Sequence, residues 1–463
     1  MESERRGPPD KSAKRFSIFG PNDDSRVPGE ALVELKPEAA RRVTVSIPDA
    51  SMLEGTGVKQ LGLPDLDEAL QDIHVRSISH LYLPSPPTLA GHTFVAEVGE
   101  ESHFRIQYDP ATSIDEALAT LTKKGNRDVL SAEPNHWRQG MTAGSRHGSH
   151  HPRQWGLPKI DCPTAWQRTI GDANVVVAVL DTGVDLNHPD LRPHLVAGKN
   201  CVAFDVRPTP PDGYVLLGNY TGASGPPEDE VGHGTHVAGT ISCERTSMDG
   251  VAGVTWRCGL MPVRVLARAY EQSTREVVPL GTGADTARGI RWAVNNGAKI
   301  VNMSLGDYDV NPSERSSIEY AVQRNVVVVA AVGNDGRSDP TYPAALPGVI
   351  AVAATEPQSQ LASFSNFGDH VSVCAPGVKI RSTYWGGGSY TELSGTSTAS
   401  PHVTGVAALL LSLNLGLTAS DVTQIILGTA TPLRKQPADP VPNPTFGRGL
   451  VNAEAALQRA LGL

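Results

Sequence analysis

Nowhere does the chain hold the run of ~18 apolar residues that a membrane-spanning helix needs. Its first 20 residues, MESERRGPPDKSAKRFSIFG, contain no apolar stretch of the kind found in secretory leaders. A cytoplasmic protein with no membrane partner is therefore expected. Cysteine is scarce: Cys162, Cys201, Cys243, Cys258 and Cys374 are five, an odd number, and none stands in CxxC spacing. That spacing offers no zinc site and fits a reducing compartment, while leaving one or two disulfides open. An excess of basic residues is also missing. The 40 Lys and Arg stand against 49 Asp and Glu, a net charge of −9, which argues against nucleic acid or an anionic membrane as the partner. There is no internal repeat.

What remains is a chain of 463 residues, enough for two or three domains of about 100–200 residues each. A unit of roughly 300 residues buries about three quarters of its unfolded surface and needs neither disulfide nor metal to hold it. Residues 1–26 are polar, rich in Pro, Lys and Arg, and are expected to be disordered. From 27 to 138, ALVELKP, TFVAEV, HFRIQYDP and DVLSAEPNHW read as strands, with Phe104, Ile106 and Tyr108 on one side of theirs. Between the last two lies SIDEALATLTKKG, a helix in which Ser113 and Glu116 form a capping box and Ile114, Leu118 and Leu121 share a face. This predicts a small α+β domain. Residues 139–152 are rich in Gly, Ser and His and read as a linker. Its His147, His150 and His151 fit a solvated tract better than a metal site.

In the segment 153–463 the rhythm changes. NVVVAVLD, AKIVNMSLG, NVVVVAAVG and GVIAVAA are continuous apolar runs, the mark of strands buried on both faces. ADTARGIRWAVNNG sets Ala287, Ile290, Ala293 and Val294 on one side of a helix that ends at Gly297. The alternation predicts an α/β domain, a parallel sheet with helices on both faces. VRPTPPDGYVLLGNYTGASGPPEDE is expected to lie outside that core.

Ligands of open parallel sheets gather at the carboxyl ends of the strands. Asp181 ends the first apolar run, just before Thr182 and Gly183. His233 lies between glycines in GHGTHVAGT and opens a helix. Ser397, in ELSGTSTASPHVTGVAALLLSL, stands at the mouth of the last apolar helix. A serine hydroxyl is a poor nucleophile until an imidazole accepts its proton, and the imidazole needs a carboxylate to fix its tautomer and offset its charge. These three residues supply those types at separations of 52 (233−181) and 164 (397−233) residues, so only a fold brings them together. Singly, each has an ordinary reading as a turn cap, a packed loop residue or a helix cap; jointly those readings are hard to sustain. Pro401 is expected at or near the first turn of its helix, where a missing N–H matters least. The unpaired N–H groups of that turn favour negative charge beside Ser397.

AVLDTGVDLNHPDL, GHGTHVAGT and GTSTASPHVTG, in the order Asp, His, Ser, closely resemble the motifs of the subtilisin-like serine proteases over about residues 153–460. The resemblance implies Asp181 as orienting carboxylate, His233 as general base and acid, and Ser397 as nucleophile. AAVGNDG is similar to the family's oxyanion segment and implies Asn334 as a donor to the tetrahedral intermediate. Thr398 departs from the pattern, which has methionine there. NMSLG (Ser304, Leu305, Gly306) and LGTGAD (Gly281, Thr282, Gly283) resemble two strands that hold an extended polypeptide substrate by its main chain. An apolar preference follows, with Asp335 near the pocket as an argument for a basic side chain.

By the same resemblance the front domain is an inhibitory prodomain, the chain's own intramolecular partner. AEPNHW is its last strand, QWGLPKIDCPTAW is the start of the mature enzyme, and self-cleavage falls within 136–152. No cofactor is implied for the chemistry. Structural calcium is suggested by Asp190 in NHPDL, and CERTSMDGVAGV has the length of a calcium loop but only Asp249 to offer. Since the family is mostly exported, secretion is the alternative to a cytoplasmic location. Two rival classes compete: a catalytically silent subtilase fold used for binding, which would be expected to lack a triad residue, and a nucleotide-binding oxidoreductase. The latter fails because GTGADT has Thr286 where the third glycine of GxGxxG belongs.

Overall fold

A computed structural model describes residues 26–43, 47, 58–82, 102–123, 127–140, 154–204, 210–221, 225–244 and 250–462. TFVAEV, His147, His150, His151 and Asp249 lie outside these residues.

The four apolar runs form strands of one parallel sheet. Its order is Val373–Pro376, Val349–Thr355, Val327–Ala331, Ile300–Met303, Val176–Asp181, Gly259–Arg264, Lys199–Asn200, and every pairing is parallel. Successive side chains point to opposite faces of a strand. All the residues of Ile300–Met303 and Val327–Ala331 are buried, so both faces of the sheet are covered. The helix Thr396–Leu413 packs on four of these strands, and the helix Gly283–Asn295 packs against Val176–Asp181 and Gly259–Arg264. The latter helix buries Ala287, Ile290, Ala293 and Val294 and is followed by Gly297 at φ +89°, as the sequence predicts.

The front region builds its own layer. Val75–His80, His103–Tyr108, Arg26–Leu35 and Val129–Gly140 lie in that order as antiparallel neighbours. Arg26, expected in the disordered segment, pairs with His136 in this sheet, and residues 1–25 lie outside the described residues. The helices Pro64–Asp72 and Ile114–Leu121 contribute to a separate apolar core with Phe104, Ile106 and Tyr108. In the second helix Ser113 Oγ accepts the Glu116 N–H at 3.3 Å, and Ala117 joins Leu121 as the fully buried face.

The strand Val129–Gly140 does not stop at this layer. Past the pairing of Arg26 with His136, it runs between Glu276–Thr282 and Leu305–Gly306, antiparallel to both. Leu266–Glu271 and Tyr214–Leu217 extend the same sheet, making eight strands among the described residues. Tyr214–Leu217 comes from the Pro/Gly-rich segment read as loop. It forms an edge strand because Leu266–Glu271 offers an open ladder beside it. Residues 139 and 140, expected in the linker, belong to this strand; residues 141–152 of that linker lie outside the described residues.

Candidate active site

Asp181 is the last residue of the strand Val176–Asp181, and His233 is the first of the helix His233–Ile241. His233 Nδ1 donates to Asp181 Oδ1 at 2.6 Å, with both side chains almost wholly buried. Two glycines permit that approach. Gly232 takes φ +101° to turn the chain into the helix. At Gly234 an added Cβ would lie 2.1 Å from the Gly183 carbonyl and 3.1 Å from Asp181 Cβ. Any side chain there pushes the histidine helix off the aspartate strand.

Asp229 fixes the loop from beneath. Its carboxylate accepts from Thr182 Oγ1 (2.8 Å), Val231 N (2.8 Å), Gly232 N (2.8 Å), Thr235 N (2.9 Å) and Thr235 Oγ1 (2.6 Å). Burial pushes its pKa up, and these bonds pull the other way. The Thr182 hydroxyl accepts in turn from Gly234 N at 2.9 Å. Sequence reasoning passed over Asp229; the signal was an acid four residues before His233 in EDEVGH. His236 and His402, also buried, are pushed down to about 3 and about 4 by desolvation, and each donates to a backbone carbonyl. They are neutral packing residues.

Ser397 lies in the first turn of the helix Thr396–Leu413, whose N-cap Gly395 has no side chain to satisfy the leading N–H groups. The helix packs against the His233 helix. The Ser397 hydroxyl is buried and has no hydrogen-bond partner among the described residues, so the expected serine-to-imidazole bond is not formed among them. Asn334 Oδ1 accepts from Thr396 N at 2.8 Å and Thr396 Oγ1 at 3.0 Å. Those bonds orient the amide, so that its buried Nδ2, unpartnered among the described residues, is the donor left over. Thr398 places its hydroxyl on the Gly395 carbonyl at 2.9 Å. The departure from methionine is thus absorbed locally.

Pro401 is the sixth helical residue, just past the first turn, at or near which it was expected. Its missing N–H is the one that would bond the Ser397 carbonyl. The hydroxyl of Ser304 donates to that carbonyl instead, at 3.0 Å. Asn302 holds Ser304 Oγ through Nδ2 (3.1 Å) and accepts from Ser400 and Thr404 (2.8 Å each), tying the sheet to the helix. It is the lone amide in the apolar run AKIVNMSLG, a signal that was readable.

The two expected substrate strands stand on either side of the chain's own strand. Gly281 pairs with Arg138 and Thr282 with Trp137, while Leu305 pairs with Gly140 and Gly306 with Gln139. Gly283 is not in the strand: it starts the next helix, which Thr282 caps by accepting Asp285 N at 3.2 Å. Asp335 accepts from the Tyr308 hydroxyl at 2.8 Å. Asp190 is buried, and its carboxylate accepts from Tyr390. Among the described residues no group of three His, Cys, Asp or Glu side chains is placed to hold a metal. No step below runs through calcium.

A profile of the Subtilase family matches residues 172–449, more than half the sequence. The chain belongs to the subtilase family. Similar relatives include the thermostable alkaline protease of Halalkalibacterium halodurans, 39% identical over 308 residues, 66% of this chain and 73% of that one. Thermitase of Thermoactinomyces vulgaris is 37% identical over 306 residues (66% and 96%). Subtilisin Savinase of Lederbergia lenta is 36% identical over 304 residues (65% and 97%). This subtilase is therefore a subtilisin-like serine endopeptidase, a hydrolase of polypeptides that needs no cofactor for its chemistry.

Proposed function

We propose that the chain is a self-inhibited precursor of an endopeptidase in which Asp181, His233, Ser397 and Asn334 do the chemistry. The bond from His233 Nδ1 to Asp181 Oδ1 carries this reading, because it commits one ring nitrogen and makes Nε2 the base. The Ser397 hydroxyl attacks the scissile carbonyl carbon as its proton passes to Nε2. Asn334 Nδ2 and the N–H groups of the helix start take the negative charge that develops on the carbonyl oxygen. Asp181 stabilises the imidazolium. The intermediate collapses to an acyl-enzyme as the imidazolium protonates the departing amine, and water, activated by the same nitrogen, releases the acid.

Residues 137–140 occupy the cleft as a substrate strand would, so the front region, 27–138, acts as the chain's own inhibitor until the chain is cut within 136–152. Ser397→Ala is expected to leave a single uncut chain, whereas the parent yields a new N-terminus in that window on Edman sequencing. An alanine variant that still processes itself refutes this reading. Asn334→Ala should cut kcat on the order of 10²–10³-fold, a size known from subtilisin itself. The five buried, unpaired cysteines support the cytoplasmic reading; fractionation of the source cells tests it.

A further inference from the structure

The strand lying in the cleft carries one charged side chain that the chemistry above does not use. Arg138 is wholly buried and grips Glu314 from two nitrogens: Nε lies 3.0 and 3.1 Å from the two carboxylate oxygens, and Nη2 lies 2.8 Å from Oε2. Nη1 donates to the Trp137 carbonyl at 2.9 Å, and Nη2 reaches the Asp309 carbonyl at 3.4 Å. Glu314 is equally buried. It is the third residue of the helix Pro312–Gln323, whose N-cap Asn311 accepts the Glu314 N–H at 3.0 Å. Asp307 and Asp309 add negative potential around the guanidinium. The opposite wall is close: a Cβ on Gly283 would come within 2.4 Å of Asn311 Nδ2.

Two properties make this more than an anchor for the front region. Arg138 is in main-chain register with the cleft strands, opposite Gly281, while the next two residues pair with Gly306 and Leu305. Any polypeptide bound in that register sets a side chain at the same point. Glu314, moreover, has Arg138 as its sole side-chain partner among the described residues. With an apolar side chain in that slot, a carboxylate would be desolvated and left unpaired, whereas an arginine restores two parallel charge-assisted bonds. Selectivity then comes from the penalty on wrong occupants as much as from the gain with the right one.

We propose that Glu314 is a specificity-determining residue, and that the cleft selects polypeptides with an arginine three residues before the one set opposite Ser304. This rests on the endopeptidase reading and refines it. Recognition is not through the main chain alone, and the fourth position counted back from Ser304 is basic rather than apolar.

The test uses the full-length chain after self-processing, with the active fraction counted by fluorophosphonate labelling of Ser397. Peptides with the sequence of residues 135–144 carry Arg, citrulline, Lys or Leu at the position of Arg138, and cleavage is followed by mass spectrometry. The expected result is a kcat/KM for Arg on the order of 10- to 100-fold above citrulline and Leu. Lys should fall between, as a point charge without the fork. Glu314→Gln should bring the Arg-to-Leu ratio towards one. Equal rates for Arg, citrulline and Leu overturn this inference alone, as does an undiminished Arg preference in Glu314→Gln. If that variant does not fold, the comparison of Arg with its neutral isostere citrulline on the parent chain still decides. No cleavage of any peptide together with no labelling of Ser397 overturns the endopeptidase reading, and this inference with it.

Discussion

Pro401 breaks the backbone ladder one turn beyond Ser397, and the carbonyl it strands belongs to Ser397 itself. Ser304 therefore has two tasks, since it also borders the strand that pairs with Gln139 and Gly140. Ser304→Ala is expected to destabilise the chain by about 1–3 kcal/mol, the cost of a buried acceptor left without a donor, and to lower kcat by loosening the turn that presents Ser397. Urea denaturation and peptide kinetics on the one variant check both effects. Asp181, His233 and Ser397 were legible because each is a chemically costly residue at a strand end or helix start flanked by small residues. Asn302, Ser304 and Asp229 were less so. Their hydrogen bonds reach other segments, and nothing local in the sequence names the partner.

On the scale of elements, the strand His103–Tyr108 shows where periodicity stops informing. Its alternation places Phe104, Ile106 and Tyr108 in the front core, and Arg105 and Gln107 should then face water. Both are buried, because the other face of that layer docks on the catalytic unit. Arg105 binds Glu30 through Nε at 3.0 Å and lies 3.7 Å from Asp285, while Gln107 donates to Glu30 at 3.2 Å. Glu133 sits at the same interface and accepts from Ser313 N at 3.0 Å and from the Ser313 hydroxyl.

Burial pushes the Glu133 carboxyl from an ordinary 4.5 up to about 7; the Ser313 bonds oppose this, and Glu34 and Glu314 add to it. The docked state thus holds its proton more tightly than the released one. Docking is strongest below pH about 4.5, weakens as the pH rises towards about 7, and then levels off. Size-exclusion chromatography of the processed protein should show faster loss of the front segment at pH 8 than at pH 5, and Glu133→Gln should shrink that difference.

Across the whole molecule, no covalent cross-link holds the two units. All five cysteines are buried and unpaired, so the disulfides that the sequence left open do not form. Desolvation raises the thiols, that of Cys201 to about 12, which leaves little thiolate at neutral pH. The melting temperature is expected to be the same with and without reductant, and Ellman's reagent should titrate the thiols only after denaturation. The sequence by itself determined the strands of the parallel sheet and the helices beside them, and it singled out Asp181, His233 and Ser397 as candidates, because buried strands demand unbroken apolar runs, turns into helices demand glycine, and acyl transfer demands a hydroxyl, an imidazole and a carboxylate. Only the tertiary structure decided that the front strand continues into the cleft, that Glu314 receives Arg138, and that Ser304 completes the serine's helix. Those contacts join segments up to 176 residues apart. Their free energy depends on which surfaces meet, a property that no local window of sequence contains.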